Sequence, residues 1–246
     1  MPHIALRDRP LEVWIAHSEP TARREIRDCL ADPGIVCHEA ASGGECLQAV
    51  QGGRPDLLIL DLFLPDQSGL GVCRLIRETA RGSDVPIMVV SSQASEIDRV
   101  LAFEAGADDF VPRPFYPAEL RARVDAVLRG FRSRPEHAPE RVRGIFRVDA
   151  EAGRIRVQGA EVELTHKEFG LLTELMSQAG RVVRRRQLIE RLWGASAPNS
   201  DRAIDAHIKS IRRKLGNAGR CIETVRGVGY RFVEAQSGDR AGGASG

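Results

Sequence analysis

The chain has 246 residues, more than one typical domain of roughly 150, so two domains are the first expectation. Its formal net charge is only +2, but residues 1–131 hold 20 acidic and 14 basic side chains, whereas residues 132–246 hold 14 and 22. Five cysteines without a CxxC spacing argue against a disulfide framework or a cysteine zinc site, and no apolar run is long enough to cross a bilayer. We therefore expect a cytoplasmic protein that joins an acidic module to a basic one.

The first half of the chain alternates short apolar runs with amphipathic ones. The pattern predicts strands at 13–16, 35–40, 56–61, 86–91 and 108–111, and helices near 20–31, 43–52, 68–80, 95–105 and 116–130. Because parallel strands need crossover connections, this order predicts an α/β fold with a five-stranded, doubly wound parallel sheet. The functional crevice of such a sheet lies beyond the carboxyl ends of its strands. The polar side chains expected to converge there are His17, Ser18, Glu19, Asp61, Ser91 and Arg113.

A polar segment with two prolines, RSRPEHAPER at 132–141, separates the two halves and is predicted to be a linker. It divides the chain into a first domain at 10–131 and a second domain at 142–235. The short alternating runs FRVD, GRIRVQG and AEVEL indicate a small antiparallel sheet at the start of the second domain. The small and polar residues 236–246 are predicted to be a disordered tail.

Three helices and a hairpin follow that sheet. The segment LTHKEFGLLTELM begins a helix with Thr165 as N-cap and Glu168 three residues later, the pattern of a capping box. A second helix, near 184–193, opens with three consecutive arginines. A third helix, near 200–215, places its isoleucines on one face and basic residues on the other. The segment ETVRGVGYRFVE closes the domain as a hairpin whose turn contains two glycines.

These segments, taken in order, resemble a response regulator of the OmpR/PhoB type over residues 12–234. The resemblance rests in the first half on PDLLILDLFLPDQSGLGVCRLIR, PIMVVSSQ and EIDRVLAFEAGADDFVPRPFYPAELRARV, and in the second on LTHKEFGLL, LIERLWG, DRAIDAHIKSIRRKLG and ETVRGVGYRF. It implies a flavodoxin-like receiver joined to an α+β winged helix-turn-helix domain. The implied protein is a homodimeric transcription regulator, not an enzyme, whose partners are double-stranded DNA, RNA polymerase and a histidine kinase.

In this family, a kinase transfers a phosphoryl group to one receiver aspartate, and Asp61 stands at that position. The chemistry needs Mg²⁺ held by carboxylates, together with a lysine, to compensate the charge on the phosphoryl oxygens. The family's acidic pair falls here on His17 and Ser18, and neither is an anion at neutral pH. Glu19 occupies the next position, and the lysine is replaced by Arg113, whose planar guanidinium is no substitute for a compact ammonium.

Three hypotheses account for this altered cluster. The site is degraded and binds no metal, or Asp61, Asp66 and Glu19 still collect a weak Mg²⁺, or His17 ligates a transition metal. A single histidine without a neighbouring soft ligand is more often a structural residue. We therefore favour the degraded site and predict no cofactor, with weak Mg²⁺ at Asp61 as the alternative.

The resemblance also implies a conformational switch and a dimer surface in the receiver. The residues at the switch positions are Ser91, Phe110 and Arg113. Two receivers of this family pair through interlocking salt bridges, and the charged residues at the matching positions are Arg99, Asp108, Asp109, Glu119 and Arg123. The ordinary alternative is a solvated charged face.

In the second domain, the resemblance makes the third helix a recognition helix that enters the major groove of DNA. The residues expected to face DNA from this helix are Arg202, Ala206, His207, Lys209, Ser210 and Arg213. Arg226 on the wing is expected to enter the minor groove. Trp193 and Thr224 match positions that contact phosphates, and the loop at 194–199 matches a segment that touches RNA polymerase in relatives.

The sequence thus predicts a DNA-binding transcription regulator that acts as a receiver-mediated dimer with weak or no dependence on phosphorylation. The alternative is a conventional kinase-driven regulator, phosphorylated on Asp61, with a rearranged metal site. An aspartate-nucleophile phosphatase would need a second acid close to the nucleophile, as in DxD, and the sequence DLF at 61–63 does not supply one.

Overall fold

The computed structural model describes residues 9–53, 55–79, 85–92, 95–132, 141–150, 152–193 and 201–234. The chain divides into two compact units, residues 1–132 and 133–246. Most of the predicted linker, the loop at 194–199 and the predicted tail lie outside the described residues. In the part that is described, no helix is both long and apolar enough to cross a membrane.

The first unit is built around a parallel sheet. Its strands are β1 (Leu11–Ala16), β2 (Ile35–Ala40), β3 (Leu57–Leu60), β4 (Ile87–Ser91) and β5 (Asp109–Pro112). Its helices are α1 (Pro20–Cys29), α2 (Gly43–Gly52), α3 (Gly69–Arg77), α4 (Glu96–Glu104) and α5 (Pro117–Arg132). The strands lie in the order β2-β1-β3-β4-β5, and all neighbours are parallel. The predicted doubly wound α/β fold is confirmed.

Apolar residues follow one another without interruption in β3 because both faces of the sheet are covered. Successive side chains of a strand point to opposite faces. Leu57 and Ile59 therefore pack in one core cluster with α1 and α5, and Leu58 and Leu60 pack in the other with α2 and α3. This double burial fixes the strand register, so the carboxyl ends of β1, β3, β4 and β5 meet at one edge.

The described part of the second unit contains two antiparallel sheets, three α-helices and a short 3-10 helix at Gly216–Cys221. The first sheet consists of β6 (Arg141–Arg143), β7 (Phe146–Asp149), β8 (Arg154–Val157) and β9 (Ala160–Val162). The elements that follow are α6 (His166–Ser177), β10 (Val182–Arg184), α7 (Arg185–Trp193), α8 (Asp201–Leu215), β11 (Ile222–Val225) and β12 (Gly229–Phe232). The second sheet has the order β10-β12-β11. The predicted α+β winged helix-turn-helix is confirmed.

Two short strands of this unit were not predicted. β6 overlaps the end of the predicted linker, and β10 pairs with β12, so the closing hairpin becomes a three-stranded sheet. Each has only three residues, too few to show a period of two. Their partner strands, rather than any local pattern, hold them in place.

The capping box at the start of α6 forms as predicted. Glu168 N donates to Thr165 Oγ1 at 3.3 Å, and Thr165 N donates to Glu168 Oε2 at 2.7 Å. Lys214 of α8 also reaches Glu168 Oε2, at 2.7 Å. Burial alone would raise the pKa of Glu168, but Lys214 and the hydrogen bonds to the carboxylate lower it below its usual value. The same carboxylate therefore caps α6 and fastens α8 to it.

Candidate functional site

His17 and Asp61 lie side by side at the carboxyl edge of the sheet. Backbone hydrogen bonds place them: Asp61 N donates to Ala16 O at 2.9 Å, and His17 N donates to Ala40 O at 3.1 Å. The side chains are 6% exposed in both residues, and His17 Nε2 lies 3.8 Å from Asp61 Oδ2. His17 and Asp61 therefore lie close together, as the sequence predicted.

The imidazole of His17 is held in one orientation. Glu19 N donates to His17 Nδ1 at 3.0 Å, which leaves the proton of the neutral ring on Nε2, the nitrogen near Asp61. Burial lowers the pKa of His17, and Arg113 and Arg23 add to this effect, whereas Asp61 and Glu19 oppose it. The ring is therefore neutral at neutral pH.

Two arginines bind groups around the cluster rather than the acceptor carboxylate. Arg23 Nη1 donates to His17 O at 2.6 Å and to Ser18 O at 3.1 Å. Arg113, at the lysine position, pairs through Nη2 with Glu25 of α1, and its Nη1 lies 3.4 Å from His17 Nε2. Within the described residues, no ion pair joins Arg113 to Asp61.

The carboxylate of Asp66 binds backbone amides and is not directed at a metal site. Gly43 N and Gly44 N donate to its two carboxylate oxygens, each at 2.8 Å, at the start of α2. These backbone hydrogen bonds lower the pKa of Asp66. The carboxylate thus acts as a helix cap, while Glu19 is exposed to solvent.

These residues do not fit Mg²⁺. The ion requires near-octahedral oxygen ligands, usually from more than one carboxylate. Here a neutral imidazole lies against Asp61, and Asp66 is bound to the α2 backbone. Across the described part of the chain, no group of three His, Cys, Asp or Glu side chains gathers as a metal site. The geometry offers no support to the hypothesis of a rearranged site formed by Asp61, Asp66 and Glu19.

The switch residues lie close to this edge. Ser91 is fully buried at the end of β4, and its carbonyl accepts a hydrogen bond from Arg113 N at 2.9 Å. Phe110 is 4% exposed, and the Arg99 guanidinium lies 5.8 Å from its ring centroid. Among the described residues, neither Asp61 Oδ1 nor Ser91 Oγ has a hydrogen-bond partner. Asp61 therefore keeps one carboxylate oxygen that no described side chain or backbone group holds.

The prediction that Asp108 lies on the dimer surface is contradicted by its burial. Asp108 is fully buried, and its Oδ2 accepts hydrogen bonds from Arg77 Nη2 and Ile87 N, each at 2.8 Å. The residue precedes β5, and its side chain points toward α3 rather than away from the receiver. Asp108 is therefore a structural anchor for Arg77.

The remaining charges of the predicted dimer surface pair within one receiver. Arg123 Nη2 lies 2.7 Å from Glu119 Oε1, and its Nη1 lies 3.5 Å from Asp109 Oδ2. Arg123 is 8% exposed and Asp109 is 4% exposed.

Sequence reasoning overlooked Ile97 of α4, which is 72% exposed close to Arg99. An apolar side chain in the first turn of a solvent-facing helix was the feature that could have revealed it.

Only some of the α8 side chains that were predicted to face DNA are exposed. Lys209 and Arg213 are exposed, and Arg202 lies in α8 with a side chain outside the described set. Thr224 is exposed on β11 and its Oγ1 accepts a hydrogen bond from Arg212 Nη2 at 2.8 Å. Arg226 is exposed at the wing turn, where Gly227 adopts a φ of 72°.

Four other predicted contact residues are buried instead. Ala206, His207 and Ser210 are 4%, 1% and 3% exposed, and Trp193 is 6% exposed. His207 packs on the Trp193 ring at 5.5 Å between centroids, and Ser210 hydrogen-bonds Glu168. Ser210 lies on the flank of α8 that faces α6, and His207 lies on the flank that faces α7, because successive residues of a helix are rotated by about 100° from one another and neither residue falls on the exposed stripe. The prediction that Ala206, His207 and Ser210 face outward from α8 is wrong for the free protein, and the phosphate contact predicted for Trp193 stays a prediction.

A cluster that sequence reasoning missed joins α7, α8 and the wing. Arg185 Nε lies 2.9 Å from Asp205 Oδ1, and the Arg185 guanidinium lies 4.9 Å from the Tyr230 ring centroid. Tyr230 OH donates to Asp205 Oδ1 at 2.5 Å. Burial and the bond to Asp205 raise the pKa of Tyr230 to about 12. The cluster sets the position of the recognition helix relative to the wing.

An aspartate at the carboxyl edge of a five-stranded receiver sheet, followed by a winged helix with an exposed basic stripe, defines a response regulator that binds DNA. Two family models match this chain: "Response regulator receiver domain" over residues 13–125 and "Transcriptional regulatory protein, C terminal" over residues 159–232. The chain belongs to the OmpR/PhoB-type two-component response regulators. As predicted, this is a family of transcription factors rather than enzymes.

Similar proteins agree with this assignment. Response regulator MprA of Mycobacterium sp. (strain KMS) is 35% identical over 230 residues, which cover 92% of this chain and 98% of that protein. MprA of Mycobacterium bovis (strain BCG / Pasteur 1173P2) is 36% identical over 229 residues, covering 91% and 98%. A solved structure of a RitR mutant has a TM-score of 0.73 at 24% identity and covers 92% of this chain and 100% of that chain, which shows the shared fold.

Proposed function

We propose that this transcription regulator binds tandem DNA sites as a receiver-mediated dimer, with weak or no dependence on phosphorylation of Asp61. The observation that carries the proposal is the imidazole of His17, 3.8 Å from Asp61 at a position where the family has an acid. A neutral ring cannot replace a carboxylate as a ligand for Mg²⁺. The charge of an incoming phosphoryl group therefore lacks its usual compensation.

The position of Arg113 supports the same conclusion. Its guanidinium pairs with Glu25, so the cation at the lysine position is tied to α1 instead of to the acceptor carboxylate. A phosphoryl group on Asp61 would have to draw Arg113 away from this existing ion pair. The stabilisation from the new interaction is then partly offset by breaking the old one.

The electrostatics of the resting receiver also favour weak switching. Two additional carboxylates would crowd Asp61 with like charge, which phosphorylation and metal binding would relieve. His17 and Ser18 are neutral, so there is less repulsion to relieve. A ligand or modification shifts a two-state equilibrium only by its differential interaction with the two states. Phe110, the aromatic switch residue, is already buried.

We propose that the dimer forms through α4, β5 and α5. Surface ion pairs contribute at most about 1 kcal/mol each, so the partly exposed Arg99 and Glu119 supply register rather than most of the affinity. Arg123 and Asp109 are largely buried and already paired within one receiver, so they support this surface from beneath. Ile97, which is 72% exposed on α4, offers apolar area to a second copy.

Ile97→Glu is expected to weaken self-association of the full-length protein at least tenfold in sedimentation equilibrium. The substitution places a charge where the partner surface would bury an apolar side chain, and it leaves the monomer core intact because Ile97 is largely exposed. Leu75→Glu on α3 is the matched control, since Leu75 is a 44% exposed apolar residue outside the surface. Equal association constants for the two variants would contradict the proposed interface.

Arg226→Ala and Lys209→Ala are each expected to weaken DNA binding without unfolding the second domain. Arg226 should matter most where the minor groove is narrow and A·T-rich. Fluorescence anisotropy across a salt series should show a slope of log affinity that is lower by about 0.9 for each phosphate that the variant no longer neutralises. If Arg226→Ala kept both the affinity and the slope of the wild type on every duplex, the wing assignment would be wrong.

One further partner belongs to this proposal, and another belongs to its rival. The family resemblance supports a contact between residues 194–199 and RNA polymerase, although these residues lie outside the described structure. A histidine kinase is the partner required by the rival function, a regulator that is phosphorylated conventionally on Asp61. Asp61 Oδ1, which has no hydrogen-bond partner in the described part of the chain, is the feature that favours this rival.

The two functions are separated by measuring sedimentation and operator affinity with and without a small acyl phosphate and Mg²⁺. Our proposal predicts a dimer and a high operator affinity that are the same under both conditions. A donor-dependent shift from monomer to dimer, with a matching rise in affinity, would establish the rival.

A further inference from the structure

We infer that the DNA contact of this protein extends from the wing onto the start of α7, where Arg184 and Arg186 bind the phosphate backbone that flanks the minor groove. This inference rests on the proposed winged-helix function and adds a second contact surface to it. None of the predicted DNA contacts involves these two residues.

The backbone places this arginine pair next to the wing. Arg184 ends β10 and pairs with Gly229 of β12, and Arg185 N donates to Val228 O at 3.3 Å. A Cβ on Gly229 would lie 2.0 Å from Val183 O, so only glycine allows β10 to come this close to the wing strand. β10, which leads directly into α7, and the hairpin whose turn carries Arg226 thus belong to one three-stranded sheet.

The side chains of the pair are directed to solvent. Arg184 is exposed, and Arg186 has a side chain that is 83% exposed. Arg185, which lies between them, turns inward to Asp205 and Tyr230, so it is not available to a ligand. Arg186 has one ion pair, with Glu190 in the next turn at 2.8 Å, a surface contact that a phosphate can replace. Neither Arg184 nor Arg226 has an acidic partner among the described residues.

The stability of the domain explains Arg185, which binds Asp205, but not the two exposed arginines on either side of it. The N-terminus of a helix carries partial positive charge, which disfavours cations, and α7 has no acidic residue in its first turn. A polyanion that approaches the wing compensates all of these charges at once. Arginine is also suited to phosphate because its planar fork can bind two oxygens.

The test compares two matched double variants of the full-length protein. Arg184→Gln with Arg186→Gln removes the proposed phosphate-binding side chains. Arg154→Gln with Arg156→Gln removes two exposed arginines of β8 in the other sheet, one of which also has a glutamate partner. Binding to a labelled mixed-sequence duplex is measured over a salt series, because phosphate contacts do not depend on base sequence. Thermal unfolding of both variants verifies that the fold is retained.

The inference predicts that the Arg184 and Arg186 variant lowers the salt slope by about two, at about 0.9 per phosphate contact, while the β8 variant keeps the wild-type slope. An unchanged slope beside a reduced slope for Arg226→Ala would overturn the extended surface and leave the winged-helix function standing. A variant that lost transcription regulation but bound DNA like the wild type would also overturn it, in favour of a protein partner. If the wild type failed to bind the duplex at any salt, the proposed function itself would fall, and the inference with it.

Discussion

A variant that carries His17→Asp and Ser18→Asp is expected to bind Mg²⁺ and to accept phosphate on Asp61 from a small acyl phosphate to near stoichiometry. The wild type should be labelled weakly or not at all under the same conditions. The two substitutions return carboxylates to the end of β1, where backbone hydrogen bonds hold residue 17 beside Asp61. Oxygen ligands from more than one side chain then converge on one point, as Mg²⁺ requires.

Intact-protein mass spectrometry measures the labelling, and calorimetric titration measures the affinity for Mg²⁺. Adding Asp61→Asn to the double variant is the control, because it removes the acceptor and should abolish the label. A wild type that was labelled as fully as the double variant would show that His17 does not disable the site.

Arg77→Met is expected to lower the free energy of unfolding of the receiver by about 3–5 kcal/mol, the usual cost of removing one partner of a buried ion pair. Asp108 is fully buried, and Arg77 is its guanidinium partner at 2.8 Å. Arg77 Nε also donates to Gly106 O at 2.9 Å. Methionine keeps much of the side-chain volume but leaves the Asp108 carboxylate uncompensated.

Urea unfolding followed by circular dichroism checks this value. Arg74→Met, at an exposed position of the same helix, is the control and should change stability by no more than about 0.5 kcal/mol. The double variant Arg77→Met with Asp108→Leu should recover part of the lost stability, because it removes both charges. Equal stabilities for Arg77→Met and Arg74→Met would make Asp108 a candidate for the dimer surface again.

Periodicity was sufficient to predict the long elements of this fold. The uninterrupted apolar run of β3 and the capped start of α6 depend on local rules, and both formed as expected. β10 depends on a partner strand that follows it by more than 40 residues, so its own three residues carried no such information. Pairings of this kind are set by tertiary packing rather than by sequence pattern.

The site was predictable where the backbone alone places the residues. His17 and Asp61 converge because the ends of parallel strands meet. The direction of a side chain near the end of a strand or on the flank of a helix depends on its neighbours, which explains the errors at Asp108 and Ser210. The partner of Arg113 is Glu25 of α1, a residue 88 positions away, and no spacing rule connects them.

One measurement tests independence from phosphorylation most directly. The operator affinities of the wild type and of Asp61→Asn are each measured with and without an acyl phosphate and Mg²⁺, which gives four values. We expect the four affinities to agree within about fivefold, which corresponds to about 1 kcal/mol. Stoichiometric labelling of the wild type, together with a large rise in operator affinity that Asp61→Asn eliminates, would contradict this expectation and establish a conventional phosphorylation switch.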